Sequence, residues 1–582
     1  RTSKGAWCEL GHDARLSLEA LKTQGPDAFS ALFLTPLPAP LKFDLILVVE
    51  VEGGDGEEGE YAAQEAAVGE VLARAWTDRA RLIRVQHRPE PVVAAATPPP
   101  IHVMVTVDAE AATRQVDKGP AADSSDPAEC EEFRRFWGEK AELRRFRDAT
   151  LCESTIWQTP PNLRHLIMPQ MARYALARHL PPPSEGDASA WGVVTMQSSV
   201  GAVEATDGEA DVAAETRAVQ SATQALSKKL RNLAQCPLTV TSAQVASSAN
   251  RGCCVPPLAP HALAGAAIES TTLASKRVPR CLDPIEMVLT LEGSGKWPEE
   301  EEAIERTKTS FLLVIARGLM SEHGLYSVAS ADWLDVLVDG YAFRLRIHYD
   351  RNQEESPAPH PASGGELALT VAHHASLAPM YTQFPAYSAT VRGAKRWVAA
   401  HMFSPHLHPE AVELLVASTF LTPPTLAPPA NASAGLLRFL HLLTDHPWAQ
   451  FPLIVDPAQE LGFSDKARVH HSFDAARKSA AGGPAMFLST ASDPCSTCWT
   501  HENPSKMVLS RLLRYARRSS ELLQNLMLPT PNSHDEPPDA ATLFETPLDC
   551  YDVLIHLSRE LGPSHSEGGT KGDKKRKRAG GA

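Results

Sequence analysis

Cysteine is sparse: 10 residues scattered over 582, one adjacent pair being Cys253 and Cys254. That spread forms no disulfide framework and suits a reducing compartment, so the glycosylation sequon at Asn431 is expected to be incidental. No run of ~18 apolar residues occurs, and the first residues lack the charged-then-apolar pattern of a secretion signal. Membrane and secretory readings fall away, and an intracellular protein is expected. Positive charge is also short. There are 56 Lys and Arg against 70 Asp and Glu, a net charge of −14 with pI about 5.9, so the bulk field repels nucleic acid. Any contact with it must come from a local basic patch. The G-x-S-x-G elbow, H-E-x-x-H and G-x-G-x-x-G are absent too, which removes the anchors of hydrolase, metalloprotease and dinucleotide chemistry.

What is present is an ordinary globular balance, 43% hydrophobic and 22% charged, punctuated by 47 prolines. The length predicts roughly three or four domains. Residues 41–53 (LKFDLILVVEVEG) and 101–108 (IHVMVTVD) read as strands of an α+β unit. A helix is expected from Thr216 to Leu233, then a strand over 285–295, a helix over 307–320 and two strands within 333–349. That order suits a nucleotidyltransferase-like α/β unit. After a Pro/His/Gly-rich loop at 354–365, helical spacing takes over at 390–402, 409–421, 432–448 and 506–528. Arg511, Arg514 and Arg518 share a face of the last helix, a pattern that usually marks a solvated stripe.

Chemistry finds few footholds. Gly293-Ser294-Gly295-Lys296 fails as a P-loop, because Thr290 stands where the motif needs Gly and Trp297 where it needs Ser or Thr. A nucleotidyltransferase needs two carboxylates one residue apart to hold two metals ~4 Å apart. Asp335 and Asp339 share a strand face but lie ~13 Å apart. Glu50/Glu52 and Asp108/Glu110 are the remaining close pairs, each without a Gly-Ser loop just upstream. Cys495 and Cys498 have ligand spacing, with His501 near, but no second ligand pair. The pairs His406/His408, His373/His374 and His470/His471 read as surface histidines. No metal and no cofactor is expected.

The densest signal is Phe133 to Trp157, FRRFWGEKAELRRFRDATLCESTIW. Six cations (Arg134, Arg135, Lys140, Arg144, Arg145 and Arg147) interleave with Phe133, Phe136, Trp137 and Phe146, faces that fill a core or stack on bases. Alternating Arg and Glu are also what a solvated, ion-paired surface presents. This stretch resembles the FWG-x-K-x-ELRRF-x-DG signature of the Nrap family of nucleolar RNA-associated proteins. LEGSGKWPEEEEAIERTKTSF (291–311) with DVLVDGYAFRLRI (335–347), AKRWVAAHM (394–402) with VELLVASTFL (412–421), and TPLDCYDVLIHL (546–557) are similar to the same family.

The resemblance implies an α/β multidomain chain. An α+β domain like Nrap domain 3 takes 1–175, a nucleotidyltransferase-like domain 4 takes 176–382, and a poly(A)-polymerase or oligoadenylate-synthetase-like helical domain 5 takes 383–542. The start of domain 6 covers 543–562 and a disordered basic tail 563–582. Beginning at Arg1 and resembling only the later part of the family, the chain is expected to be a fragment. Asp148-Ala149 replaces the family's Asp-Gly, which puts a positive-φ turn in doubt.

The resemblance further implies a non-catalytic scaffold in the nucleus and nucleolus. Its expected partners are pre-rRNA and proteins of the small-subunit processome, with no membrane and no small-molecule substrate. Lys140, Arg144, Arg145, Lys395 and Arg396 are the candidate RNA contacts. Lys574, Lys575, Arg576, Lys577 and Arg578 form the candidate localisation signal. Two rival readings stand beside it. One is an active template-independent nucleotidyltransferase using Mg²⁺ at Glu50/Glu52 or Asp108/Glu110, the other a protein-only assembly module.

Overall fold

The computed structural model describes residues 14, 39–53, 58–87, 100–123, 127–182, 191–199, 212–234, 236, 238–258, 260–261, 283–292, 297–298, 300–349, 366–421, 427–479, 482–528, 540–548 and 552–555. In chain order these form β1 (Leu45–Gly53), α1 (Glu58–Trp76), β2 (Ala80–His87), β3 (Ile101–Val107), β4 (Val116–Ala121), α2 (Pro127–Trp137), β5 (Ala141–Arg145), β6 (Leu151–Ile156), α3 (Ile167–His179) and β7 (Trp191–Ser198). Next come α4 (Val212–Arg231), β8 (Val240–Val245), β9 (Ile285–Leu291), α5 (Glu301–His323), β10 (Ser327–Ala329), β11 (Leu334–Val338) and β12 (Tyr341–His348). The last third holds α6 (Glu366–Gln383), α7 (Tyr387–Ala400), α8 (Pro409–Leu421), α9 (Ala432–Asp445), β13 (Leu453–Ile454), α10 (Phe463–Lys478), β14 (Leu488–Ser489) and α11 (Lys506–Met527). Two compact units emerge. One combines 1–220, 246–258 and 350–546; the other combines 221–245, 259–349 and 547–582.

In the first unit an antiparallel sheet of order β2-β3-β1-β7 serves two cores at once. Strand residues alternate in direction. Leu45, Leu47, Val49 and Val51 therefore join Val68, Leu72 and Trp76 of α1 and Ile167, Met171 and Ala175 of α3. Ile46 leaves by the opposite face, and with Leu41, Phe43 and Met104 it joins Leu415, Leu436 and Leu440 of α8 and α9. Each such side chain contributes about 1.5–3 kcal/mol on burial. Asp44 secures the seam between early and late residues. Its carboxylate accepts the Val107 and Ala430 N–H groups at 3.1 and 3.0 Å, and its carbonyl accepts Asn431 Nδ2 at 2.6 Å. Asn431 also caps α9 by accepting the Ala434 N–H, so this buried sequon residue has a structural task.

Helix α9 crosses α7 closely. A Cβ at Gly435 would lie 2.2 Å from Thr390 Oγ1, so glycine is what lets the two backbones approach. A separate sheet of order β4-β6-β5 lies against α2.

The second unit is built on a five-stranded sheet of order β10-β11-β12-β9-β8, with β12 and β9 parallel and the other pairs antiparallel. Val336, Phe343, Leu345, Ile347, Ile285 and Met287 are buried, while Asp335, Arg344, Arg346 and Glu286 alternate with them toward the other face. Helix α5 buries Ile304, Leu312, Ile315 and Leu319. Asp339 and Gly340, both at positive φ (49° and 86°), make the two-residue turn from β11 to β12. Asp-Gly suits such a turn because its handedness matches the strand twist.

Candidate functional site

The signature divides by burial into a core half and a solvent half. Phe136 and Trp137 are buried. Trp137 packs on Trp157 and Tyr174 with ring centroids 5.9 and 6.3 Å apart, so these aromatics fill the core and are not available for stacking on bases. Gly138 sits at φ +53° with the Arg178 guanidinium 2.6 Å from any Cβ it could carry; the positive φ accounts for the glycine of FWG. Arg134 donates to Glu153 at 2.8 Å.

Beyond Gly138 the chain turns outward into β5, the edge of its sheet, where Glu142, Leu143, Arg144 and Arg145 are all exposed. Arg144 lies opposite Cys152 and Arg145 opposite Leu151. Being consecutive on a strand, the two guanidinium groups leave by opposite faces. Exposed Lys140 holds its ammonium 5.4 Å from the Trp157 ring.

The turn after β5 corrects an expectation. Ala149 adopts φ +65° although it is not glycine. Asp148 holds the turn by accepting the Thr150 N–H at 3.1 Å and the Thr150 hydroxyl at 2.6 Å, and by pairing with Lys118 at 3.0 Å. The Thr150 hydroxyl and Lys118 together draw the Asp148 carboxyl down to about 2.

Lys395 and Arg396 sit elsewhere in the same unit. Contrary to its reading as an RNA contact, Lys395 points inward, donating to Glu413 Oε1 at 2.7 Å and to the Cys253 carbonyl at 3.0 Å. Arg396 is half-buried, 6.0 Å from the Phe544 ring. Around Glu413 a buried charge cluster closes. Arg251 pairs with it at 2.5 Å, His373 lies 3.6 Å away, and Tyr387 donates to its carbonyl at 3.2 Å. Burial alone would raise the Glu413 carboxyl, but Arg251 and Lys395 hold it well below the usual range. Burial and Arg251 depress the His374 imidazole to about 4, and burial pushes the Cys253 thiol up to about 11. The reading of His373 and His374 as surface residues is overturned, since His373 is buried and His374 hydrogen-bonds Arg251. Sequence spacing carries no sign of this cluster, because Arg251 and Glu413 are 162 residues apart.

Three of the acidic candidates, Asp335, Asp108 and Glu50, are engaged in structural contacts. Asp335 accepts Arg344 through both oxygens at 2.8 and 3.0 Å, and Glu286 pairs with Arg346 at 3.2 Å. Both guanidinium groups lie over Trp333, 4.6 and 5.5 Å from its ring. Asp108 takes Arg81 at 2.8 Å and caps the Glu110 and Ala111 N–H groups. Glu50 accepts the Thr195 hydroxyl, and Glu52 is exposed. Asp493 shapes the Cys495–Cys498 loop by accepting the Thr497 and Cys498 N–H groups at 2.9 and 2.8 Å. Among the described residues no group of three or more His, Cys, Asp or Glu is placed to hold a metal, and no helix is long and apolar enough to cross a membrane. Gly293 to Lys296 and Lys574 to Arg578 lie outside the described residues.

Three family models match the chain: Nrap protein domain 3 over 41–181, Nrap protein nucleotidyltransferase domain 4 over 196–355, and Nrap protein PAP/OAS1-like domain 5 over 384–546. Nucleolar protein 6 of Xenopus tropicalis is 31% identical over 605 residues, 96% of this chain and 51% of that protein. Nucleolar protein 6 of Homo sapiens is 30% identical over 613 residues, with the same coverage of 96% and 51%. The chain thus spans about half the length of the curated relatives it matches. Terminal uridylyl transferase 4 from Trypanosoma brucei, solved with bound GTP, is 13% identical at a TM-score of 0.30, covering 53% of this chain and 92% of that one. A likeness that loose has no bearing on chemistry. Matched by three consecutive domains of one family, and folded as α/β units with a nucleotidyltransferase-like domain followed by a PAP/OAS-like helical one, the chain belongs to the Nrap family.

Proposed function

We propose that this chain is a non-catalytic RNA-binding scaffold of the small-subunit processome, acting in pre-rRNA processing and small ribosomal subunit biogenesis. Its compartment is the nucleolus, as the name of its relatives has it. The observation behind the non-catalytic reading is the pairing of Asp335 with Arg344 and of Glu286 with Arg346. A carboxylate that would hold Mg²⁺ has to be free to ligate, and here both Asp335 oxygens and the Glu286 Oε2 face guanidinium groups that lie over Trp333. Support for RNA contact comes from β5 and the turn before it, where Arg144 and Arg145 on a sheet edge and Lys140 just upstream are exposed on an otherwise acidic chain. Phosphate contacts through such residues position a scaffold without reading sequence.

Two experiments test this reading. Incubation with Mg²⁺, a labelled nucleoside triphosphate and a short RNA is expected to give no extension; extension would restore the nucleotidyltransferase. Crosslinking of the tagged protein in cells is expected to enrich pre-rRNA in particles that sediment with small-subunit precursors. Co-sedimentation without crosslinks would leave a protein-only module, and absence of both would end the processome assignment.

A further inference from the structure

A groove of about 570 Å³ opens between the loop 446–450, the end of α10 and the first half of α11. We infer that it binds the phosphodiester backbone of single-stranded RNA, an assignment that rests on the RNA-scaffold reading and gives it a second site, distant in sequence from β5. Lys506, Arg514 and Arg517 line the groove, Leu509 and Leu513 form its apolar floor, and none of the described lining residues carries a carboxylate. In a chain with 14 surplus negative charges such a surface is a local patch of opposite sign to the whole.

The cationic face differs from the expected Arg511, Arg514 and Arg518 stripe. Arg511 lies over Phe403 and Tyr515, at 5.9 and 5.3 Å, and Arg518 pairs with Glu521 at 3.3 Å. Positions 506, 510, 513, 514 and 517 instead share one side of α11 and extend ~16 Å along it. Arg477 braces the wall, donating to the Gly482 and Pro484 carbonyls at 2.8 and 2.6 Å and to the Trp448 carbonyl at 3.0 Å. Lys506 also stands at the N-terminal turn of a 22-residue helix, whose dipole adds to the positive field. The groove is walled by helices and loops and lacks an open strand edge with which an extended peptide could pair. Exposed, sequence-indifferent cations over an apolar floor suit phosphates and sugars.

The test is fluorescence anisotropy of a labelled 20-nucleotide single-stranded RNA against the full chain across a salt series. An Arg514→Gln, Arg517→Gln double variant removes two phosphate contacts. It is expected to lower the log–log salt slope by about 1.4 and the affinity by about 25-fold at 0.1 M salt. The Arg514→Lys, Arg517→Lys variant keeps the charge and is expected to bind within about twofold of wild type. Equal weakening by the Lys and Gln pairs would overturn a phosphate role in favour of a structural one. Wild-type binding with no effect of the Gln pair would overturn the groove site and leave the scaffold reading intact. No wild-type binding at any salt would overturn both. Unchanged RNA binding together with loss of a poly-glutamate ligand would make the groove an acidic-peptide site.

Discussion

Glu413 and Arg251 meet at 2.5 Å in the interior of the first unit, with Lys395 on the other carboxylate oxygen at 2.7 Å. One anion therefore satisfies two buried cations. Glu413→Gln removes the charge and keeps the shape, leaving both cations without a counter-charge. The expected loss is about 3–5 kcal/mol, read as a shift in urea midpoint by circular dichroism. A loss below about 1 kcal/mol would mean that the cluster is hydrated and not dry.

The same cluster sets a pH response. His374 titrates near 4 in the fold and near 6.5 in an unfolded chain. Between those values only the unfolded chain takes up the proton. Stability is therefore full above about pH 6.5, falls as pH drops toward 4, and levels off below. Burial also depresses His87, His401 and His446, in the same direction. Glu413 acts lower, its contribution present above the unfolded value near 4.3 and lost only as pH falls through its depressed folded value. His374→Asn is expected to reduce the slope of stability between pH 6.5 and 4.5, and an unchanged slope would assign it to the other histidines.

At Ala149 the left-handed backbone carries a Cβ that glycine would not. Ala149→Gly relieves that strain, about 1–2 kcal/mol, against an entropic cost of about 0.4–1 kcal/mol. A net gain of about 0.5–1 kcal/mol is expected in thermal unfolding, and a loss would show that the Asp148 and Thr150 bonds already relax the turn.

Gly435→Ala drives a methyl into Thr390 Oγ1 and is expected to cost about 1–3 kcal/mol. Thr390→Ala in the same chain should recover part of that loss, and strictly additive losses would show that the contact is not the cause.

Charge reversal at Arg144 or Arg145 should leave stability within about 0.5 kcal/mol, since both are exposed. RNA that tracks one face of β5 would make one reversal far more costly to binding than the other. Equal losses would require contact on both faces.

Legibility followed periodicity. Helix α8 was readable from its proline start and dense apolar spacing, and β11–β12 from alternation around Asp339-Gly340. Strand β5 was not, because a strand exposed on both faces has no reason to alternate. Lys395 is read from sequence as an RNA contact because nothing local shows a counter-charge; its partners come from residues 253 and 413, at distances in sequence that no motif spans. The double duty of β1 was hidden in a run that is apolar at every early position, which looks the same whether one core or two lie beyond it.

The bond from Ala430 to Asp44 joins positions 386 residues apart, and this sets an order of events during synthesis. At roughly 5–20 residues per second, a ribosome takes roughly 20–80 s to deliver the second partner after the first. For that interval Ile46, Phe43 and Met104 have been made while the α8 and α9 side of their core has not. The sheet side of this core is thus complete in the nascent chain before its helical side exists, and that face gains its cover only once α8 and α9 have been made.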